Sequence, residues 1–181
     1  ILALGLLVNA NLAGTPLAAT RAESFTTLGN VYVAKGQFPQ AKEEYRQALA
    51  VTPDYVRALA GLARAYDQTD STEKAIGLWE KAIALDPEEM DLHFSLGFSY
   101  HAAGRLDEAI VQWQETARLR PEFAQAHFQL GIARHYLAAG IQKAGTGDDL
   151  GPQTGLLVGP ELLAEIFVPE YRRLVSLYKG R

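Results

Sequence analysis

One pattern is written three times at a spacing of 34 residues. Phe25-x-x-Leu28-Gly29-x-x-Tyr32 returns as Leu59-x-x-Leu62-Ala63-x-x-Tyr66 and again as His93-x-x-Leu96-Gly97-x-x-Tyr100. A second element follows each copy: Ala41-x-x-x-Tyr45, Ala75-x-x-x-Trp79 and Ala109-x-x-x-Trp113. Each copy closes on a proline, at Pro53, Pro87 and Pro121. A fixed period of this length specifies a stack of similar units, each burying its apolar side on its neighbours, and such stacks commonly bind other proteins.

Each unit reads as two helices, A and B. In the first, helix A is expected near Ala22 to Ala34 and helix B near Pro39 to Val51. Gly36 stands between them, and Gly104 holds the same place in the third unit, where glycine lets the chain turn with positive φ. Asp70 takes that place in the second unit. Small residues at Gly29, Ala63 and Gly97 are expected to let the helix backbones approach Ala41, Ala75 and Ala109. Tyr32, Tyr66 and Tyr100 would fill the space beside them, with Tyr45, Trp79 and Trp113 opposite. Asp86-Pro87-Glu88-Glu89 reads as an N-cap, a proline at the first helical position and an acidic first turn.

The recurring large, Leu-Gly, Tyr, Ala, aromatic, Ala, Pro pattern resembles the tetratricopeptide repeat family. The resemblance spans residues 22–139, as units 22–55, 56–89 and 90–123 and a partial unit 124–139. It implies an all-α, right-handed helical-repeat solenoid of antiparallel helix pairs, with a concave groove lined by A helices. It also implies a scaffold, adaptor or assembly role, with a protein partner whose peptide or helix lies in that groove. Family geometry points positions 2, 5, 9 and 12 of helix A into the groove. These are Glu23, Thr26, Asn30 and Val33; then Arg57, Ala60, Arg64 and Asp67; then Asp91, Phe94, Phe98 and His101; then Gln125, Phe128, Ile132 and His135. Phe94, Phe98, Phe128 and Ile132 are expected to form an apolar floor, and Asn30, Arg57 and Arg64 polar registration. Arg57 and Arg64 could receive an acidic peptide, the plainer alternative being that they are solvated or paired with Glu23 and Asp91. A family subset clamps the terminal carboxylate of chaperone peptides, but here only Asn30 matches. Thr26, Gly61, Asp91 and Ser95 occupy the other clamp places.

The fourth unit starts in register at His127-x-x-Leu130-Gly131, then departs, with Arg134 where tyrosine is expected. Residues 140–159 read as a glycine-rich link without the Gly-Lys-Ser/Thr ending of a phosphate loop. Residues 160–181 read as a C-terminal amphipathic helix, with Tyr171, Leu174, Val175 and Tyr178 at i, i+3, i+4 and i+7. That helix is expected to cap the repeats, or to dock on a partner or membrane. Residues 1–21 open with the apolar run Ile1 to Val8 and carry no charge before Arg21. They are read first as a signal or anchor remnant, with a docking segment or a capping helix as alternatives. The run is short for a membrane span, which takes about 20 apolar residues.

A formal net charge of −4 gives no basic field for nucleic acid. Without cysteine there is no disulfide, thiolate metal site or cysteine nucleophile. No motif supports catalysis, so neither an enzyme nor a cofactor is expected. His101 and His135 repeat at 34 residues, one place after Asp67 in the stack. That row is read as an echo of the repeat, with a metal-binding accessory protein as the minor alternative. The leading reading is therefore a protein-binding scaffold, exported or membrane-associated through its N-terminal segment, serving as an accessory or assembly subunit of a membrane complex. A cytoplasmic adaptor whose groove is closed by its own C-terminal helix is the runner-up. The sequence leaves the oligomeric state open.

Overall fold

The computed structural model describes residues 16–69 and 71–138. Asp70, the glycine-rich link and the C-terminal amphipathic segment lie outside the described residues, as do residues 1–15. The described residues form helices and turns: α1 (Pro16–Ala34), α2 (Phe38–Val51), α3 (Val56–Asp67), α4 (Thr72–Leu85), α5 (Met90–Ala102), α6 (Leu106–Leu119) and α7 (Ala124–Ala138). The fold is thus an all-α solenoid of helix pairs, α1/α2, α3/α4 and α5/α6, followed among the described residues by α7. The chain divides between Pro87 and Glu88 into two compact units.

In the first unit, alanines let helices meet closely. Ala18 and Ala22 of α1 are buried with Ala48 and Val51 of α2 and Ala58 of α3, flanked by Phe25, Leu49 and Tyr55. Because Ala18 lies one turn before Ala22 on the same face, α1 begins at Pro16, earlier than the Ala22 start expected from the repeat. A second cluster joins Ala41 and Tyr45 to Leu62 and Ala65, with Tyr32 and Tyr66 against it. Tyr45 is 1 % exposed, and burying a ring of this size contributes on the order of 2–3 kcal/mol. In the second unit Leu92, Leu96, Leu106, Ala109, Trp113, Ala126, Leu130 and Ala133 are buried.

The turns within pairs follow the glycines. Gly36 and Gly104 have φ of 69° and 75°. The Gln37 N–H donates to Tyr32 O and the Gly36 N–H to Val33 O; Arg105 and Gly104 repeat this on Tyr100 O and His101 O. These crossed bonds satisfy the last carbonyls of α1 and α5. Ser71 N–H donates to Tyr66 O, so the outer bond is also present after α3.

The Asp86-Pro87 boundary differs from expectation, since Asp86 closes the preceding helix. Thr52 and Asp86 are C-caps, of α2 and α4, and the following A helices start only at Val56 and Met90. Pro53 and Pro121 sit second in four-residue turns closed by Tyr55 N–H to Thr52 O (3.2 Å) and Phe123 N–H to Arg120 O (3.1 Å). A fixed φ near −65° suits that turn position as well as a helix start. At the second boundary, after Pro87, the N-cap is Glu89, whose carboxylate accepts from the Asp91 N–H.

Candidate functional site

The small residues of the A helices receive B-helix aromatics. A Cβ on Gly29 would stand 2.7 Å from Tyr45 Cε1, and one on Gly61 would collide with the same ring. Gly97 is covered by the Trp113 indole, whose N–H donates to Phe94 O at 3.3 Å. At Gly29 and Gly97 the vacant space therefore admits a ring, where closer approach of two backbones was expected.

In the first unit this wedge builds a polar site. The Tyr45 hydroxyl donates to Asn30 Oδ1 at 2.7 Å. The ring also lies against Gly61, which stands between Arg57 and Arg64 at i+4 and i+7 along α3, so all three share one helix face. Both arginines are exposed and make no ion pair among the described residues, Glu23 included. Burial raises the Tyr45 phenol above its ordinary value, and the Arg64 charge opposes that rise. Thr26, also assigned to the groove, is buried, with its hydroxyl donating to Ala22 O at 2.8 Å. Tyr45 was missed as a site residue because it belongs to a B helix. The signal was Gly61, which breaks the 34-residue pattern (Thr27 and Ser95 stand at the equivalent places).

In the second unit the expected aromatics form an edge-packed group. Phe94 meets Phe98 with centroids 5.0 Å apart and near-perpendicular rings, and meets Phe123 at the same distance. Phe98 packs on Trp113 at 5.4 Å. Such pairs add about 0.5–1.5 kcal/mol beyond burial. Phe98 nevertheless remains 41 % exposed, and Phe128 on α7 39 %. Phe94 and Ile132 are half-buried. Phe123 was absent from the expected floor because it lies in the turn before α7, outside the A-helix positions.

The histidines divide by environment. His93 is buried, with Nδ1 2.9 Å from Gln112 Oε1, and His127 is buried, with Nε2 2.8 Å from Pro121 O. His101 is half-buried beside Trp113, centroids 6.0 Å apart, and burial holds its imidazole below the ordinary value. His135 lies beside Tyr136 at 6.4 Å. Asp67, the third member of the row considered for a metal, accepts the Trp79 indole N–H at 3.0 Å. Among the described residues no three His, Asp or Glu side chains converge as a metal set.

With this geometry in hand, the family follows from a direct match. The TPR repeat model matches residues 29–70, 64–104 and 99–137. The chain belongs to the tetratricopeptide repeat family. A 60-residue stretch is 40 % identical to the uncharacterized protein ycf37 of Pyropia yezoensis, covering 33 % of this chain and 34 % of that protein. The chain thus matches about a third of that relative's length. Among solved structures, the crystal structure of MamA is similar with a TM-score of 0.66, at 22 % identity over 87 % of this chain and 81 % of that one. The first TPR of Spaghetti (RPAP3), bound to the HSP90 peptide SRMEEVD, gives 0.65 at 22 % identity over 66 % of this chain and 95 % of that one. At these identities the likeness is one of fold.

Proposed function

We propose that this repeat protein is a protein-binding scaffold whose apolar docking surface is the aromatic group of the second unit, and that it serves as an accessory or assembly subunit of a membrane-associated complex. The observation that carries the docking surface is the exposure of Phe98 and Phe128, two large rings left open to water on A helices of the binding-type fold. Preformed helices hold these rings at fixed spacing, so little ordering entropy opposes association. An amphipathic helix or extended segment with apolar anchors is the ligand this surface fits.

The Spaghetti (RPAP3) structure, with its HSP90 peptide, shows that a similar fold holds a peptide. The terminal-carboxylate clamp is not the mode proposed for this chain. Gly61 stands at one of the clamp places, and any Cβ there meets the Tyr45 ring. The membrane part of the reading rests on the apolar residues 1–21 in the sequence. No described helix is long and apolar enough to cross a bilayer.

Affinity recovery from detergent-solubilised membranes, beside the soluble fraction, tests both parts. Wild type is compared with Phe98→Ala/Phe128→Ala, whose helix content is checked by circular dichroism. A membrane-complex subunit recovered by wild type and lost with the variant is the expected result. Recovery indifferent to the two rings would move the interface elsewhere. Recovery of soluble partners alone would replace the membrane role with that of a soluble adaptor.

A further inference from the structure

The first unit carries a cationic, hydrogen-bond-donating site that the apolar docking surface does not use. Tyr45 brings α1 and α3 together there. Its ring sits against Gly29 and Gly61, and its hydroxyl donates to Asn30 Oδ1 at 2.7 Å. With Oδ1 held by the Tyr45 hydroxyl, the Asn30 amide is oriented and its two Nδ2 hydrogens are available to a ligand. Arg57 and Arg64 lie on either side of Gly61 along the same face of α3.

Three arginines of the described chain hold acids within reach: Arg46 with Glu43, Arg105 with Glu108, and Arg118 with Glu115 and Glu88. Arg57 and Arg64 hold none among the described residues. The acidic groove positions of the same unit are Glu23 and Asp67. Glu23 makes no ion pair with Arg57, and Asp67 accepts the Trp79 indole N–H at 3.0 Å. Two forked guanidinium groups on the face of α3 that the Tyr45 ring joins to Asn30 make a cationic, donor-rich set, the complement of carboxylates.

We propose that Arg57, Arg64 and Asn30 bind acidic side chains, Asp or Glu, within an extended segment of a partner protein. The site reads side-chain carboxylates along the segment and does not require a free chain end. Tyr45 is a positioning residue: it fixes the amide of Asn30 and the approach of α3 to α1. The site is built from residues of the first unit alone and the aromatic group from residues of the second, so it survives if the aromatic reading fails.

The test uses an N-acetylated, C-amidated decapeptide of alternating Glu and Ala, with Gln/Ala and Lys/Ala counterparts, in fluorescence anisotropy against the full chain at low salt. The Glu peptide is expected to bind and the other two are not. Arg57→Gln/Arg64→Gln should weaken binding by at least about tenfold, since a hydrogen bond to a charged group is typically worth that factor. Arg46→Gln, outside the site, should leave it unchanged. Tyr45→Phe keeps the ring and frees the amide, and should weaken binding less than the arginine pair while preserving the salt dependence. Absence of Glu-peptide binding at millimolar concentration would overturn the proposal, as would binding indifferent to Arg57 and Arg64. Binding that appears only when the peptide has a free C-terminal carboxylate would also overturn it, in favour of end recognition. The probe carries no large apolar side chain, so none of these results bears on Phe98 and Phe128.

Discussion

At the residue scale the glycines separate into two kinds, and substitution tells them apart. Gly61 lies under Tyr45, and a methyl there must displace a 1 %-exposed ring wedged between two helices. Gly61→Ala is expected to cost about 1–3 kcal/mol, the range for overpacking a filled core. Gly77, inside α4, has nothing within 4 Å of where a Cβ would stand. Gly77→Ala is expected to stabilise by about 0.5–1 kcal/mol through helix propensity alone. Urea unfolding of the two variants beside wild type checks the opposite signs. His101 provides a second prediction at this scale. Burial lowers its pKa below the ordinary 6.5, so the folded state favours the neutral ring. Its contribution to stability is present above pH 6.5 and is lost as pH falls through the folded-state pKa. An NMR titration should place the His101 midpoint below that of a free histidine, and His101→Gln should flatten the corresponding part of the stability–pH curve. A midpoint at or above 6.5 would contradict the burial argument.

The helices themselves were legible because their signals are local. The 34-residue echo placed three helix pairs, and Gly36 and Gly104 marked turns that adopt positive φ. Element starts were less legible. Pro53, Pro87 and Pro121 suit a helix's first position and a β-turn's second position equally, since both use the same φ. What decides between them is a backbone bond, such as Tyr55 N–H to Thr52 O, which leaves no mark in residue type. The wedge of Tyr45 was hidden for a different reason. It depends on Gly61, which departs from the repeat, so a reading built on periodicity passes over it. The edge-packed aromatic group was half legible: Phe94 and Phe98 are at A-helix positions, while Phe123 enters from a turn. The turn glycines give the element-scale prediction. Gly104 at φ 75° carries the crossed bonds that end α5. Gly104→Ala should cost about 1 kcal/mol or more, and Gly104→Asn distinctly less, because asparagine tolerates the left-handed region. Thermal unfolding of the two variants measures the difference.

For the whole molecule, the separation of folding from binding is the property that makes a repeat scaffold useful. The buried set is dominated by alanines, leucines and the B-helix aromatics, while Phe98 and Phe128 keep about two fifths of their surface in water. Replacing both with alanine should therefore leave the helix content intact. The edge contacts of Phe98 with Phe94 and Trp113 should contribute a stability cost on the order of 1 kcal/mol. Binding responds in a different way. A partner that seats on these rings binds the folded chain and not the unfolded one. At a hundredfold excess over Kd it should stabilise the wild type by about 2.7 kcal/mol. For a domain of this size that raises Tm by several degrees. The double variant should show its small intrinsic loss of Tm and no further rise on adding the partner recovered from the membranes. Equal partner-induced shifts in both proteins would mean that the exposed rings take no part in recognition.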